Sequence, residues 1–249
     1  MSVNKMEFIA GKNPVLEALQ AGRPLNKIML AHGLQRSLVR EIMDLAKEVG
    51  IPYQFVAKEK LDALVDGNIH QGIVAQAEVK EYIEWEEIII KAQQKKEDPF
   101  VVLLDGLEDP RNLGAILRTA EAVGVHGVII PKYRSVSLTA AVARSSAGAV
   151  EYVPVARVSN LPSVMDRLKE KGCWIVGTDP GAEQKYFEAD LKGPLAVVLG
   201  SEGKGMRRLV KEKCDFLVSI PMLGQINSLN VSVAGALLFY EIIRQRGLI

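Results

Sequence analysis

The sequence predicts an α/β protein built on a mainly parallel sheet, and three observations carry that prediction. Short β-rich apolar runs alternate with helical stretches from Pro99 onward. The runs are continuously apolar rather than alternating, as expected of strands covered on both faces. Three of them end in blocks punctuated by glycine and asparagine: Asp105–Arg118, Val197–Met206 and Ile220–Ser232. Ligands bind at the carboxyl ends of strands in open α/β sheets. Three such ends in one domain predict a built site.

Residues 1–78 read as a small α/β unit of their own. Asn13-Pro14 opens a helix carrying Val15, Leu16 and Leu19, and proline suits the first helical position. Lys27–Ala31 reads as a strand. Leu38–Val49 is an amphipathic helix with Val39, Ile42, Leu45, Ala46 and Val49 on one face, stopped by Gly50. Tyr53–Ala57 and Gly72–Ala77 are strand-like. Residues 79–97, rich in Glu, Lys and Gln, read as a linker with a short helix.

In residues 98–249 the predicted strands are Val101–Leu104, Gly127–Ile130, Tyr152–Val155, Trp174–Thr178, Ala196–Gly200 and Phe216–Pro221. The final helix, Asn230–Arg246, is apolar nearly all round. Val233, Leu237 and Tyr240 lie opposite Phe239 and Ile242, with Leu238 and Ile243 on the flanks. Such a helix buries more than one side. One side is expected on the domain's own sheet and the other against a second copy, which predicts a homodimer.

Composition narrows the function. Apolar residues make up 48% of 249 residues, enough for a real core. Lys and Arg number 31 against 30 Asp and Glu, so nucleic-acid binding needs a local patch rather than bulk charge. Candidates are Arg111, Arg118, Lys132, Arg134, Arg144 and the group Lys204, Arg207, Arg208, Lys211 and Lys213. The simpler reading of that last group is a solvated helix face. Cys173 and Cys214 form no CxxC pair, and with three histidines they show no zinc spacing, so no metal is expected. Met1–Ala10 lacks the pattern of a signal peptide, and the apolar run near Val231–Tyr240 is too short to span a bilayer. A cytoplasmic protein is expected.

The three blocks carry the chemistry. In the first, Asn112 stands where a helix N-cap is expected, and Arg118 points off the core stripe Leu113, Ile116, Leu117, Ala120 and Val123. The second spaces its glycines as GxxGxG, unlike dinucleotide-binding turns or phosphate loops. It carries Glu202, an acceptor for a hydroxyl or ammonium group. In the third, Ser228, Asn230 and Ser232 alternate with apolar residues before the last helix. Capping explains one of them. His70 is expected to make a loop hydrogen bond.

At these residues the chain resembles the SpoU (TrmH-type) RNA 2′-O-methyltransferases. Asn112, Arg118, Glu202, Ser228, Asn230 and Ser232 fall on that family's characteristic positions. Gly11–Leu19 and His70–Ile73 resemble the small substrate-binding domain of its ribosomal-RNA members, an L30e-like α/β domain. The likeness is greatest to the bacterial enzymes that methylate a guanosine ribose in 23S ribosomal RNA. The resemblance implies a C-terminal trefoil knot, although chains rarely knot. It implies domains 1–78 for RNA, 79–97 as linker and 98–249 for catalysis. It implies S-adenosylmethionine as cofactor, held by backbone around Thr178, Gly200, Gly203, Ile220, Met222, Leu229 and Ser232.

By the same resemblance, Asn112 orients the hydroxyl or ribose, and Glu202, Ser228 and Asn230 accept or relay the proton and order the site. Arg118 is better read as a clamp on a phosphate and the developing alkoxide than as a base, because guanidinium stays protonated. RNA contacts are expected from Lys12, Arg23, Arg36, Arg40, Arg111 and Arg144. The alternatives are a transfer-RNA or adenosine-specific ribosomal-RNA enzyme, or a non-catalytic RNA-binding protein of ribosome assembly.

Overall fold

A computed structural model describes residues 6–65 and 69–249. Part of the leader reading, residues 1–5, and Asn68 of the His70 loop lie outside the described residues. The chain divides into two compact units. One is Met1–Glu81 with Leu138–Tyr152; the other is Tyr82–Ser137 with Val153–Ile249.

The first unit begins β1 (Met6–Ala10), α1 (Lys12–Gln20), β2 (Leu25–Ala31), α2 (Arg36–Glu48), β3 (Tyr53–Val56), α3 (Lys58–Leu64) and β4 (Ile73–Glu78). Its sheet runs β1-β4-β2-β3, antiparallel except for the β2–β3 pair. Alternate residues of β2 serve opposite faces. Ile28 and Leu30 pack with Val15, Val39 and Ile42 of α1 and α2, whereas Met29 and Ala31 pack with Leu61 and Val65 on the α3 side.

The second unit opens with α4 (Trp85–Lys95), then β5 (Phe100–Asp105), α5 (Pro110–Ala122) and β6 (Gly127–Pro131). The chain next forms α6 (Ala140–Ser145) and a single turn at Ala149–Glu151, both in the first unit. It returns as β7 (Val155–Val158), α7 (Leu161–Glu170), β8 (Trp174–Thr178), β9 (Leu195–Gly200), α8 (Arg208–Glu212), β10 (Phe216–Val218) and α9 (Val231–Gln245). The sheet order is β10-β8-β9-β5-β6-β7, every pair parallel, as the continuous apolar runs predicted. The chain builds outward from β5 in one direction and later fills the other side through β9, so the order reverses between those two strands.

Three expectations need correction. The supposed linker is a packed element: Trp85, Ile88 and Ile89 of α4 enter the core of the second unit. A side chain at Gly127 would lie 2.5 Å from Ile88, so the glycine makes room for that helix. The strand expected at Tyr152–Val155 starts three residues later, because Pro154 has no N–H for the ladder. The segment 138–152 belongs with the N-terminal unit, through a buried ion cluster. There Arg23 Nη1 donates to Glu151 Oε1 at 2.6 Å, and Lys80 Nζ to Glu151 Oε2 at 3.3 Å. Arg23 also binds the Glu7 carboxylate, and the Glu78 carbonyl at 2.6 Å. The last helix follows the expected wheel: Leu238, Phe239 and Ile242 are fully buried, whereas Val233, Leu237 and Tyr240 form an exposed apolar stripe.

Candidate active site

The three blocks converge at the carboxyl ends of β5, β8, β9 and β10. A cavity of about 530 Å³ opens there. Its floor is apolar: Val218, Ile220, Met222, Leu229, Val231 and Ala234. Its rim holds Thr178, Asp179, Ser201, Glu202, Asn227, Ser228 and Asn230, with Gly200, Gly203 and Gly205 between them.

Local sequence explains the rim. After β9 the chain folds back on itself: Ser201 N–H donates to Gly205 O at 3.1 Å and Gly205 N–H to Ser201 O at 2.9 Å. Gly203 and Gly205 adopt positive φ, which favours glycine. A side chain at Gly200 would stand 2.3 Å from the backbone of Gly205 and Met206, so this return needs glycine there too. The loop is then held from β5. The Asp105 carboxylate, 1% exposed, accepts from Arg207 N at 2.7 Å and from Arg207 Nε at 2.7 Å.

Asn230 ties all three blocks together. Its Nδ2 donates to Asn112 Oδ1 at 3.0 Å and to Glu202 Oε1 at 2.6 Å. Its Oδ1 accepts from Ser232 N at 2.9 Å and from Ser232 Oγ at 2.6 Å, which caps α9. The backbone N–H of Ser232 demands an acceptor, so the amide nitrogen must face Asn112 and Glu202. All four hydrogen-bonding positions of Asn230 are filled.

Several predicted roles change accordingly. The hydrogen bonds of Asn230 fit the ordering role expected of it. Ser232 serves the cap and is absent from the cavity lining, whereas Thr178, Gly200, Gly203, Ile220, Met222 and Leu229 do line it. Asn112 is not the N-cap of α5. Asp109 takes that place, accepting from Arg111 N at 2.8 Å, with Pro110 next, and Asn112 is buried in the first turn. Asn112 Nδ2, Glu202 Oε2 and the Ser228 hydroxyl have no partner among the described residues. Arg118 is exposed on α5, outside the cavity lining, and likewise unpaired among the described residues.

The basic candidates separate into held and open groups. Arg207 holds Asp105, Lys211 pairs with Asp179 at 2.6 Å, Lys213 with Asp166 at 2.6 Å, and Arg208 with Glu212 at 3.0 Å. Burial pushes the Asp179 carboxyl up, but Lys211 and the Gly181 N–H outweigh it and hold it below the usual range. Arg111 binds its own N-cap, Asp109, which raises the guanidinium pKa. Arg23 is buried and bound to Glu151, Glu7 and the Glu78 carbonyl, a position that does not suit the expected RNA contact. Lys12 and Arg40 lie in long pairs with Glu41 and Asp44, at 3.9 and 3.7 Å, and Arg36 is exposed. Arg144 lines a second cavity of about 450 Å³ within the N-terminal unit, beside Gly11, Asn13 and Gln71. Asp105, Asp179 and Asn227 escaped the sequence reading. Asp105 and Asp179 end or follow strands, a positional signal that identifies them only once strand order is known.

The remaining titratable core groups are structural. His70 Nδ1 accepts from Gly72 N at 2.9 Å, so Nε2 donates to Asp62 at 2.8 Å, the expected loop contact. Burial pushes Cys173 to about 11 and Cys214 to about 12, which leaves both thiols protonated and unreactive. Among the described residues no helix is long and apolar enough to cross a membrane.

Comparison with known proteins matches both halves of the chain. The SpoU rRNA Methylase family model matches residues 99–240. A model for RNA 2′-O ribose methyltransferase substrate binding matches residues 8–83. The chain is 50% identical over 240 residues to YacO of Bacillus subtilis (strain 168), assigned to the TrmH family of tRNA/rRNA methyltransferases, with 96% of each chain covered. The SpoU methyltransferase AviRb from Streptomyces viridochromogenes, solved with its cofactor AdoMet, matches at a TM-score of 0.81 and 27% identity, over 98% of this chain and 92% of that one. A solved RNA 2′-O ribose methyltransferase matches at 0.80 and 32% identity, over 99% and 90%.

Proposed function

The chain belongs to the SpoU rRNA methylase family, and we propose that it transfers a methyl group from S-adenosylmethionine to a ribose 2′-hydroxyl of RNA, with a guanosine of 23S ribosomal RNA as the target. The observation that carries this reading is the strand-end cavity whose rim bears Asn230 and Glu202, hydrogen-bonded to each other, with Asn112 bound to Asn230 behind the lining. The cavity fits the cofactor chemically. Apolar Ile220, Met222 and Leu229 suit an adenine, and the Glu202 carboxylate suits a cation. When bound, S-adenosylmethionine supplies an electrophilic methyl group.

The protein's own part is orientation and charge. The return of residues 201–205, held by Asp105, presents backbone and Glu202 to the cavity. Asn230 fixes Asn112, whose Nδ2 orients a ribose hydroxyl. Glu202 Oε2 and Ser228 Oγ are the groups left to accept its proton. Arg118, exposed and cationic, clamps the adjacent phosphate and stabilises the developing alkoxide.

Two further features belong to the proposal. The C-terminal region is knotted. In support, segment 179–194 is bonded both to the chain just after β10 and to the end of α9: Tyr186 N–H donates to Ser219 O at 3.0 Å, and Leu191 N–H to Gln245 Oε1 at 2.9 Å. The active form is a homodimer that covers the stripe Val233, Leu237 and Tyr240.

Mapping 2′-O-methyl groups in RNA from a strain lacking the gene tests the target. Loss of one 23S guanosine mark, restored by complementation, is expected. Loss in transfer RNA, at an adenosine, or nowhere would overturn the assignment. Transfer RNA is the second reading, because the Bacillus relative is assigned to tRNA/rRNA methyltransferases.

A further inference from the structure

In the N-terminal unit the parallel strands β2 and β3 end side by side, with Ala31 opposite Val56. His32 follows β2 immediately, and its N–H donates to Val56 O at 3.0 Å. Its ring stacks on Phe55, with centroids 6.1 Å apart and planes at 27°. Tyr53, two residues earlier on the same face of the strand, meets Phe55 edge-on at 6.4 Å and 88°. Tyr53 packs on the core beneath, whereas Phe55 stays 44% exposed and His32 is also exposed.

One exposed phenylalanine needs no explanation. A stacked pair braced by a third ring and a backbone hydrogen bond is different, because its orientation is fixed before anything binds. The connections leaving these strand ends carry Arg36, the first residue of α2, and Lys58, the first of α3. Both are exposed and neither has an ion-pair partner among the described residues.

We propose that His32 and Phe55 form a stacking platform for an unpaired base of the RNA substrate, with Arg36 and Lys58 taking the flanking phosphates. The proposal rests on the RNA methyltransferase reading above and supplies a recognition surface for it. Flat aromatic faces accept any base, and flanking cations meet the backbone that carries it. A protein partner is disfavoured, because the exposed feature is a single ring pair with cations, unpaired among the described residues, on the connections that follow it. Duplex RNA is disfavoured too, since its bases are not free to stack.

The test uses the full chain and a fluorescein-labelled single-stranded RNA of mixed sequence, with a duplex of equal length beside it. Phe55→Ala should weaken single-strand binding by roughly tenfold to a hundredfold, the loss of about one stacked base. Phe55→Leu should lose as much, because it keeps the volume without the π-face, whereas Phe55→Trp should retain binding. The slope of affinity against salt should be unchanged in these variants and shallower in Arg36→Ala with Lys58→Ala. Thermal midpoint and S-adenosylmethionine binding should match wild type in all of them. Wild-type affinity in Phe55→Leu, or an equal loss for the duplex, would overturn the platform alone. A wild-type chain that binds neither RNA would overturn the enzymatic reading with it.

Discussion

At the carboxyl ends of β5 and β8, and in the chain that follows β9, charged side chains are largely held by one another. Asp105 holds Arg207, Lys211 holds Asp179, and Asn230 holds Glu202. At the carboxyl ends of β2 and β3, Arg36 and Lys58 are held by no described residue. The first arrangement is rigid and suits a small cofactor whose geometry must be set before reaction. The second is open and suits a flexible polymer that brings its own charge. The difference teaches that counting basic residues does not locate an RNA surface. Arg23 and Arg207 carry the same charge as Arg36, yet both are already paired with buried carboxylates.

The sharpest test of held against open lies on α9. Leu238→Glu places a carboxylate in the core and should cost several kcal/mol, on the order of 3 or more, enough to unfold much of the protein. Tyr240→Glu, on the open stripe, should leave the thermal midpoint of the subunit nearly unchanged but yield a monomer by sedimentation. A Tyr240→Glu dimer would remove the proposed subunit contact.

Catalysis gives the next effect. Arg118→Ala should lower turnover by about a hundredfold or more while the calorimetric affinity for S-adenosylmethionine stays within error, because the guanidinium lies outside the cavity lining. Equal losses in both would place Arg118 in cofactor binding instead.

Asp105→Ala releases the loop that carries Glu202. Hydrogen bonds to a charged group are worth about 1.5–3 kcal/mol each where well formed. Arg207 is half exposed and recovers solvation, so a net cost of about 2 kcal/mol is expected, with cofactor affinity about tenfold weaker. Unchanged affinity would show that the loop keeps its shape without the carboxylate.

The smallest effect is a pH dependence. Burial lowers the His126 pKa below its ordinary 6.5. Above that value the ring is neutral in both folded and unfolded chains. As pH falls, the unfolded chain takes the proton first, so stability declines from about pH 6.5 until the folded ring also protonates. His126→Gln should flatten the melting midpoint across this window; an unaltered slope would exclude His126 as its source.

The central strands were legible because β5, β6, β8 and β9 are buried on both faces and read as unbroken apolar runs. Strand-end glycine and asparagine made the cavity legible as well. What escaped depends on partners far away in sequence. Arg23 meets Glu151 across 128 residues and Asp105 meets Arg207 across 102, and neither pairing leaves a local pattern. The first pairing also explains why residues 138–152 fold with the N-terminal unit. Helix α6 was missed because Ala140, Ala141, Ser145 and Ser146 give no strong apolar stripe. Asn230 illustrates a subtler limit: its position was read from the third block, but its partners Asn112 and Glu202 lie 118 and 28 residues away and leave no local pattern. A fragment beginning at residue 80 is therefore a poor test of the N-terminal unit, since it strands Glu151 without Arg23.

The central claim is that the strand-end cavity serves methyl transfer to a ribose hydroxyl. The most direct measurement incubates the purified chain with methyl-labelled S-adenosylmethionine and ribosomal RNA from the deletion strain, then digests the RNA to nucleosides. Label is expected in a single 2′-O-methylguanosine, abolished by Arg118→Ala under conditions where that variant still binds the cofactor. Label on a base, or no transfer from a chain that binds both cofactor and RNA, would contradict it.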